Sequence, residues 1–366
     1  MAEKYLDIGI FGLNASSGVA MTKVPERWSG KWEHVAEVAC FADAVGYDFL
    51  LPIGRWVGYG GDTNPTSNTY ETFSFAACLS GLTKRIKLFS TVHTPFIHPT
   101  YAARAASTID HASGGRFNIN VVCGWSLEEF QMFGLSDYDP KIRYVEGPEW
   151  VEVFDLMMTS DEPFDYEGQH FNVKGGICLP KPVQRPRPVL MSATFSPDGR
   201  AFAVSKCDIL FTMFSKPEIS RRQNNDLLAQ AQAIGRNDCC VYTAAHAVVR
   251  ETRSEAEDYY EHYAAIEADS NAAKGFINKL GVSSPKVSAL QKAQLKRIAG
   301  GAGTFPLVGS VKDVVEQLVE VKESGFRGIG ISFVDYSTEV PFFAKEVLPR
   351  LREAGATRPF DTSMQP

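Results

Sequence analysis

Ser107-Thr-Ile-Asp-His-Ala-Ser-Gly-Gly-Arg-Phe-Asn-Ile-Asn-Val-Val-Cys-Gly-Trp125 contains one full change of backbone period. Leading into it, Ala102, Ala105, Ala106 and Ile109 recur every three or four residues, the stripe of an amphipathic helix. Ser113-Gly114-Gly115 stops that stripe, because glycine accepts the left-handed backbone on which helices end. Phe117–Val122 then reads as a strand, and Cys123-Gly124-Trp125 follows as the strand's exit.

The same unit recurs outward in both directions. Candidate strands are Leu6–Phe11, Asp48–Pro52, Ile86–Val92, Phe117–Val122, Val189–Met191, Asp208–Met213, Val241–Val249 and Gly328–Phe333. Several are apolar on consecutive positions, as parallel strands covered on both faces must be. Between them lie helical stripes: Val35, Val38, Ala42 and Val45, ended by Gly46; and Val311, Val314, Val315, Leu318 and Val321, opened by Ser310 with Asp313 three residues on and closed by Gly325. Strand–helix alternation through eight cycles predicts an α/β protein, a TIM (β/α)8 barrel with residues 1–366 as a single domain. A doubly wound sheet is the alternative. Two stretches fall outside the repeat and are expected as insertions at the C-terminal rim. Residues 159–188 read as a hairpin with a proline-rich tail, and 264–304 as a polar, lid-like or flexible segment.

Composition narrows the function classes. The 366 residues are 44% hydrophobic and 22% charged, with 37 basic and 43 acidic side chains and a net charge of -6. No long basic run is present, which argues against nucleic acid or an anionic membrane as a partner. No stretch approaches 18 apolar residues and no signal-peptide core follows Met1, so a cytoplasmic protein is expected. The seven cysteines (40, 78, 123, 178, 207, 239 and 240) are an odd number without CxxC spacing, and read as small buried hydrophobes in a reducing compartment.

Barrel active sites lie at the C-terminal ends of the strands. The residues there are Asn14, Gly54-Arg55, Thr91-Val92-His93-Thr94, Cys123-Gly124-Trp125, Ser192-Ala193-Thr194, Phe214 and Asp335. They offer hydroxyls, an amide, an arginine and aromatics, but no His-x-His and no trio of histidine and carboxylate, so no metal is expected. His93 and His98, near a proline, suit a structural role. Neither a Gly-x-Ser-x-Gly elbow nor a GxGxxG or phosphate-loop motif is found. With few acids and bases at the rim, a cofactor is expected to supply the chemistry. Phe195-Ser196-Pro197-Asp198-Gly199-Arg200 opens a helix after the fifth strand, where free N–H groups and the Ser196 hydroxyl make an anion site or a plain helix cap.

Taken together, several motifs resemble the bacterial luciferase-like flavin monooxygenases, closest to the pyrimidine (uracil) oxygenase and dimethyl sulfone monooxygenase group. The motifs are the Asp110, Ser113-Gly-Gly-Arg116, Asn120 and Gly124-Trp125 series, Asp48-Phe-Leu-Leu-Pro-Ile-Gly-Arg55 with Gly58-Tyr-Gly-Gly61 and Glu71, Thr83-Lys-Arg-Ile-Lys-Leu88, Gly168-Gln-His-Phe171 with Pro180-Lys-Pro-Val-Gln-Arg-Pro186, and Leu307-Val-Gly-Ser310 before the last helix. Together they cover residues 5–265 and 304–352; 266–303 match least.

The resemblance implies a TIM barrel that takes reduced FMN from a separate NAD(P)H-dependent flavin reductase. With O2, through a flavin peroxide, it would oxygenate and cleave a small polar heterocycle or amide. Alternatives are a sulfone or alkanesulfonate monooxygenase, with an anion pocket built on Arg55, and a non-oxygenating flavin- or F420-binding protein. By resemblance, Thr91 and Asn120 are catalytic; Gly54, Arg55, Asn120, Glu129, Arg143, Tyr144 and Ser196 bind the cofactor; and His93 and Trp125 line the substrate pocket. A homo-oligomer, dimer or tetramer, is implied too. An asparagine suits the flavin edge because it both donates and accepts, and an arginine at position 143 can pair with phosphate through two N–H groups. Arg116 is expected to pair with Asp110, and Trp32 and Trp56 to be packing or interface residues rather than substrate contacts. Departures from the family pattern bear on substrate. Gly54 stands where relatives often carry an aliphatic side chain, His93-Thr94-Pro95-Phe96 is bulkier and more polar than the usual run, and Cys123 replaces a hydroxyl.

Overall fold

The computed structural model describes residues 5–136, 138–139, 141–193, 195–280 and 292–360. The chain divides into two compact units, residues 1–70, 212–226 and 241–366 in one, and 71–211 with 227–240 in the other.

The first unit carries strands β1 (Asp7–Phe11), β2 (Phe49–Leu51), β9 (Cys240–Arg250), β10 (Phe305–Ser310) and β11 (Gly328–Ser332), ordered β10-β9-β11-β1-β2. All are parallel, with Gly9 opposite both Gly330 and Phe49, and Ala245 opposite both Ile331 and Phe305. Glycine at position 9 is a packing requirement, since a Cβ there would lie 2.4 Å from the Phe49 ring. Helix α1 (Trp32–Val45) buries Val35, Val38 and Ala42 and ends on Gly46 at φ 88°, as its stripe predicts. The helix Val311–Glu323 opens with the expected Ser310–Asp313 capping box and is followed by Gly325 at φ 90°. It is not the last helix; Tyr336–Glu346 and Leu348–Glu353 follow it. Leu307-Val-Gly-Ser310 is likewise more than a lead-in, because it lies within strand β10, which pairs with the distal half of β9. Residues 264–304, expected as a lid-like or flexible segment, contain the helices Ser270–Lys279 and Lys292–Gly301; residues 281–291 lie outside the described set.

The second unit carries β3 (Lys87–His93), β4 (Phe117–Val122), β7 (Leu190–Ala193) and β8 (Ile209–Phe211), paired in that order and parallel. Its helices include α2 (Thr72–Leu82), α3 (Pro99–Ser113), α4 (Leu127–Met132), α5 (Arg143–Thr159) and α6 (Pro197–Lys206). Helix α2 is capped by Glu71, whose carboxylate accepts from Phe73 N and Ser74 N. Within residues 159–188, β5 (Phe164–Glu167) and β6 (Asn172–Gly176) form an antiparallel pair. Its turn is held by the Glu149 carboxylate, which accepts from His170 N and Phe171 N. All seven cysteines are free thiols. Among the described residues, no helix is long and apolar enough to cross a membrane.

Candidate active site

In the second unit, Thr91 of β3 and Asn120 of β4 are register partners, so their side chains leave the sheet on one face. The Asn120 Nδ2 donates to Thr91 Oγ1 over 3.3 Å. Its Oδ1 is buried with no hydrogen-bond partner. A buried amide oxygen without a donor is costly, and this one is free to accept from a group that the chain does not supply. Asn118, two residues back on the same face, is satisfied, since its Oδ1 accepts from Val189 N. Thr91 is itself held in place through its carbonyl, which accepts from Thr72 Oγ1 at 2.8 Å.

A second cluster surrounds the start of α6. Ser196 caps the helix, its Oγ accepting from Gly199 N at 3.1 Å, and donates to Tyr144 Oη at 3.3 Å. Gly199 makes this approach possible, because a Cβ there would lie 2.8 Å from that hydroxyl. The Arg143 guanidinium lies 4.9 Å from the centre of the Tyr144 ring and donates to Gly124 O, while its Nε is buried and unpartnered. Arg200, one turn into α6, also has a buried unpartnered Nε. Helix-start amides, a hydroxyl and two arginines form an electropositive seat suited to phosphate.

Glu129 is buried on α4, and Trp125 is half-buried just before that helix. His93 ends β3 and is buried. The Cys123 thiol is pushed up to about 12 by burial, against the smaller downward pulls of Thr94 and Arg143, and is a neutral thiol at physiological pH. Thr194 lies outside the described residues.

In the first unit, Gly54 and Arg55 follow β2 and both are buried. They are set there by Asn14, whose Nδ2 donates to Ile53 O and Tyr70 O while its Oδ1 accepts from Ile53 N. Asn14 thus spends its amide on the backbone. Three other candidates also bond to backbone: Ser192 Oγ donates to Val121 O, Asp335 caps a helix through Ser337 N, and His98 caps α3 through Thr100 N, with burial lowering its pKa.

One expectation is corrected. Arg116 does not pair with Asp110. It donates to Ser80 O, Thr83 O, Ile86 O and Ser113 O and to Thr83 Oγ1, while Asp110 accepts from Gln184 N and Nε2. Each therefore spends its polar groups on other partners, Arg116 on carbonyls and Asp110 on the Gln184 N–H groups. Sequence reasoning singled out Phe96 but missed the rings it packs with, Phe130, Phe133 and Tyr138, for which a cluster of Phe and Tyr just past a strand end was the available signal. Among the described residues, no group of three or more His, Cys, Asp or Glu side chains is arranged to hold a metal ion.

The model of the luciferase-like monooxygenases matches residues 6–328. The chain is 28% identical to an FMNH2-dependent dimethylsulfone monooxygenase from Pseudomonas putida, covering 93% of each sequence. It is 30% identical to the pyrimidine monooxygenase RutA of Pseudomonas syringae, covering 94% of this chain and 96% of that one. Among solved structures, a riboflavin lyase holding modified FMN and riboflavin superposes with a TM-score of 0.86 at 21% identity, over 97% of this chain and 93% of the other. DmoA from Hyphomicrobium sulfonivorans superposes with a TM-score of 0.85 at 19% identity, over 99% and 92%. The fold is therefore the expected one, eight parallel strands closed into a (β/α)8 barrel with helices outside.

Proposed function

The chain belongs to the luciferase-like monooxygenase family, and from that premise we propose that it is a two-component, FMNH2-dependent monooxygenase using O2 to oxygenate and cleave a small polar heterocycle or amide. The observation that carries the reading is Asn120, an amide held by Thr91 with its Oδ1 buried and unanswered. Reduced FMN, when bound, supplies the electrons that activate O2.

The chain's own groups fit that cofactor. Ser196, the first amides of α6, Tyr144 and Arg143 hold its phosphate tail, with Arg143 Nε as a spare donor and Gly199 leaving the seat open. Asn120 Oδ1 would accept a hydrogen bond from the bound cofactor, and Thr91 Oγ1, accepting from Asn120 Nδ2, fixes the amide's orientation. Gly54, Arg55 and Glu129 are assigned to the flavin, and His93 and Trp125 to the substrate. No acid or base with a pKa near neutrality is offered by Thr91 or Asn120, so the protein's part is to bind, orient and exclude water. A separate NAD(P)H-dependent flavin reductase supplies the cofactor, and residues 1–366 act as one domain in a homo-oligomer.

The test is oxygen uptake by the purified chain with FMN, NADH and a flavin reductase, across uracil-like rings, small amides and sulfones. Substrate-linked uptake with ring or amide product, abolished in Asn120→Ala with the fold intact, supports the reading. Wild-type turnover in that variant, or no linked product with any of them, refutes it. Sulfur-linked product alone moves the assignment to a sulfone oxygenase, and tight F420 binding in preference to FMN moves it out of oxygenation.

A further inference from the structure

His93 stands two residues beyond Thr91 on the same face of β3, and Val122 opposite it stands two beyond Asn120. His93 is therefore the next side chain beyond Thr91 on that face of β3, and a run of rings packs outward from it within this unit. His93 lies 5.5 Å from Phe96, with ring planes 33° apart. Phe96 stacks on Phe133 with centroids 4.3 Å apart and planes 1° apart. Phe96 also meets the edge of Phe130 at 5.3 Å, and Phe130 stacks on Tyr138 at 4.5 Å.

The assembly is braced at its Phe130–Tyr138 end. The Tyr138 hydroxyl donates to the buried Glu146 carboxylate at 2.7 Å. Gly124, at φ 83°, makes room for Phe130, because a Cβ there would lie 2.7 Å from its Cζ. Phe96, Phe133 and Tyr138 are only partly buried. A fixed plate of rings favours a flat, polarised partner that can lie face to face or edge to face with it. A compact tetrahedral molecule presents no face to such a plate.

We propose that Phe96 and Phe133 are specificity-determining residues that make this protein select planar conjugated rings over compact tetrahedral substrates. This deepens, and rests on, the monooxygenase reading above. Its test reads binding rather than turnover: calorimetric titration of the full chain, saturated with FMN, with uracil and with dimethyl sulfone. The wild type is expected to bind uracil more tightly than the sulfone. Phe96→Leu/Phe133→Leu should weaken uracil about five- to tenfold, the value of the stacking beyond simple burial, with FMN and sulfone affinities unchanged. Phe133→Tyr, which keeps the ring face, should bind uracil like the wild type. The proposal is overturned if the leucine variants bind uracil unchanged, if they lose both ligands equally, or if the wild type prefers the sulfone or binds neither. Oxygen uptake with an acyclic amide would leave the parent reading standing in each of those cases.

Discussion

His246 of β9 offers a pH dependence that can be worked from the structure. Its imidazole is buried, with Nδ1 2.9 Å from Thr304 Oγ1. The Thr304 hydroxyl donates to Gly301 O at 2.7 Å, so it can only accept from the ring, and Nδ1 carries the proton. The other nitrogen, Nε2, is buried without a partner. Burial first, and then the nearby Arg297 cation, push the pKa down to about 3 from an ordinary 6.5. A lowered histidine pKa means that the unfolded chain takes up a proton that the folded chain refuses. The stabilisation is therefore complete above pH 6.5 and is lost as pH falls through the window from 6.5 to 3. At pH 5 the unfolded state is favoured through this one group by about 2 kcal/mol relative to pH 7. His246→Asn keeps a donor for Thr304 and removes the titration. Urea unfolding at pH 7 and pH 5 should show the wild type losing about 2 kcal/mol more than His246→Asn, whatever the variant's own starting stability. Equal losses in the two proteins would show that the ring accepts its proton in the folded state, and would refute the argument.

Arg116→Lys should destabilise by about 2–4 kcal/mol in urea unfolding, because one ammonium cannot reach the four carbonyls and the hydroxyl that the guanidinium serves; a loss under about 0.5 kcal/mol would contradict the brace assigned to it. Gly199→Ala puts a Cβ 2.8 Å from Tyr144 Oη and 3.1 Å from Ser196 Oγ. By flavin fluorescence it should bind FMN about tenfold more weakly with riboflavin affinity unchanged, the value of one hydrogen bond to a charged group, whereas equal losses for both flavins would remove the phosphate from this helix start.

The eight staves were legible because each is a short apolar run bounded by turn residues, and each matches an observed strand of the barrel. Strand β10 was not. It is short, contains Pro306 and Gly309, and exists because the distal half of β9 offers it a partner nearly 60 residues back, as in Leu307 opposite Ala247. Helix ends at Gly46, Gly114 and Ser310 were legible because capping is local. At the site, Ser196 could be read from Ser-Pro at a helix start, yet local sequence could not separate a plain cap from an anion seat. That distinction lies in Tyr144 and Arg143, more than 50 residues away. Asn14 shows the converse, a rim amide of the right type whose hydrogen bonds are all spent on Ile53 and Tyr70.

The stretch from Ser107 to Trp125 separates these two kinds of residue most sharply. Its family resemblance suggests chemistry, but most of its polar groups hold the scaffold. Ser107 Oγ donates to Pro180 O and Asp110 takes both Gln184 N–H groups, which ties the proline-rich tail down along α3. Gln184 Nε2 also donates to Phe117 O, the first residue of β4. Gly114 and Gly115, at φ 67° and 84°, turn the chain so that Arg116 can gather the carbonyls ahead of β3 and those closing α3. The strand that leaves this clamp therefore has its start fixed by two independent sets of hydrogen bonds. Three residues on, Asn120 is the first side chain of the stretch with a buried polar atom left over. An amide can keep such an atom in a stable fold only if the strand carrying it cannot rotate or slip to find another partner. The clamp fixes where that atom stands, so loosening Asp110 or Arg116 should cost Asn120 its orientation before it costs the protein its fold.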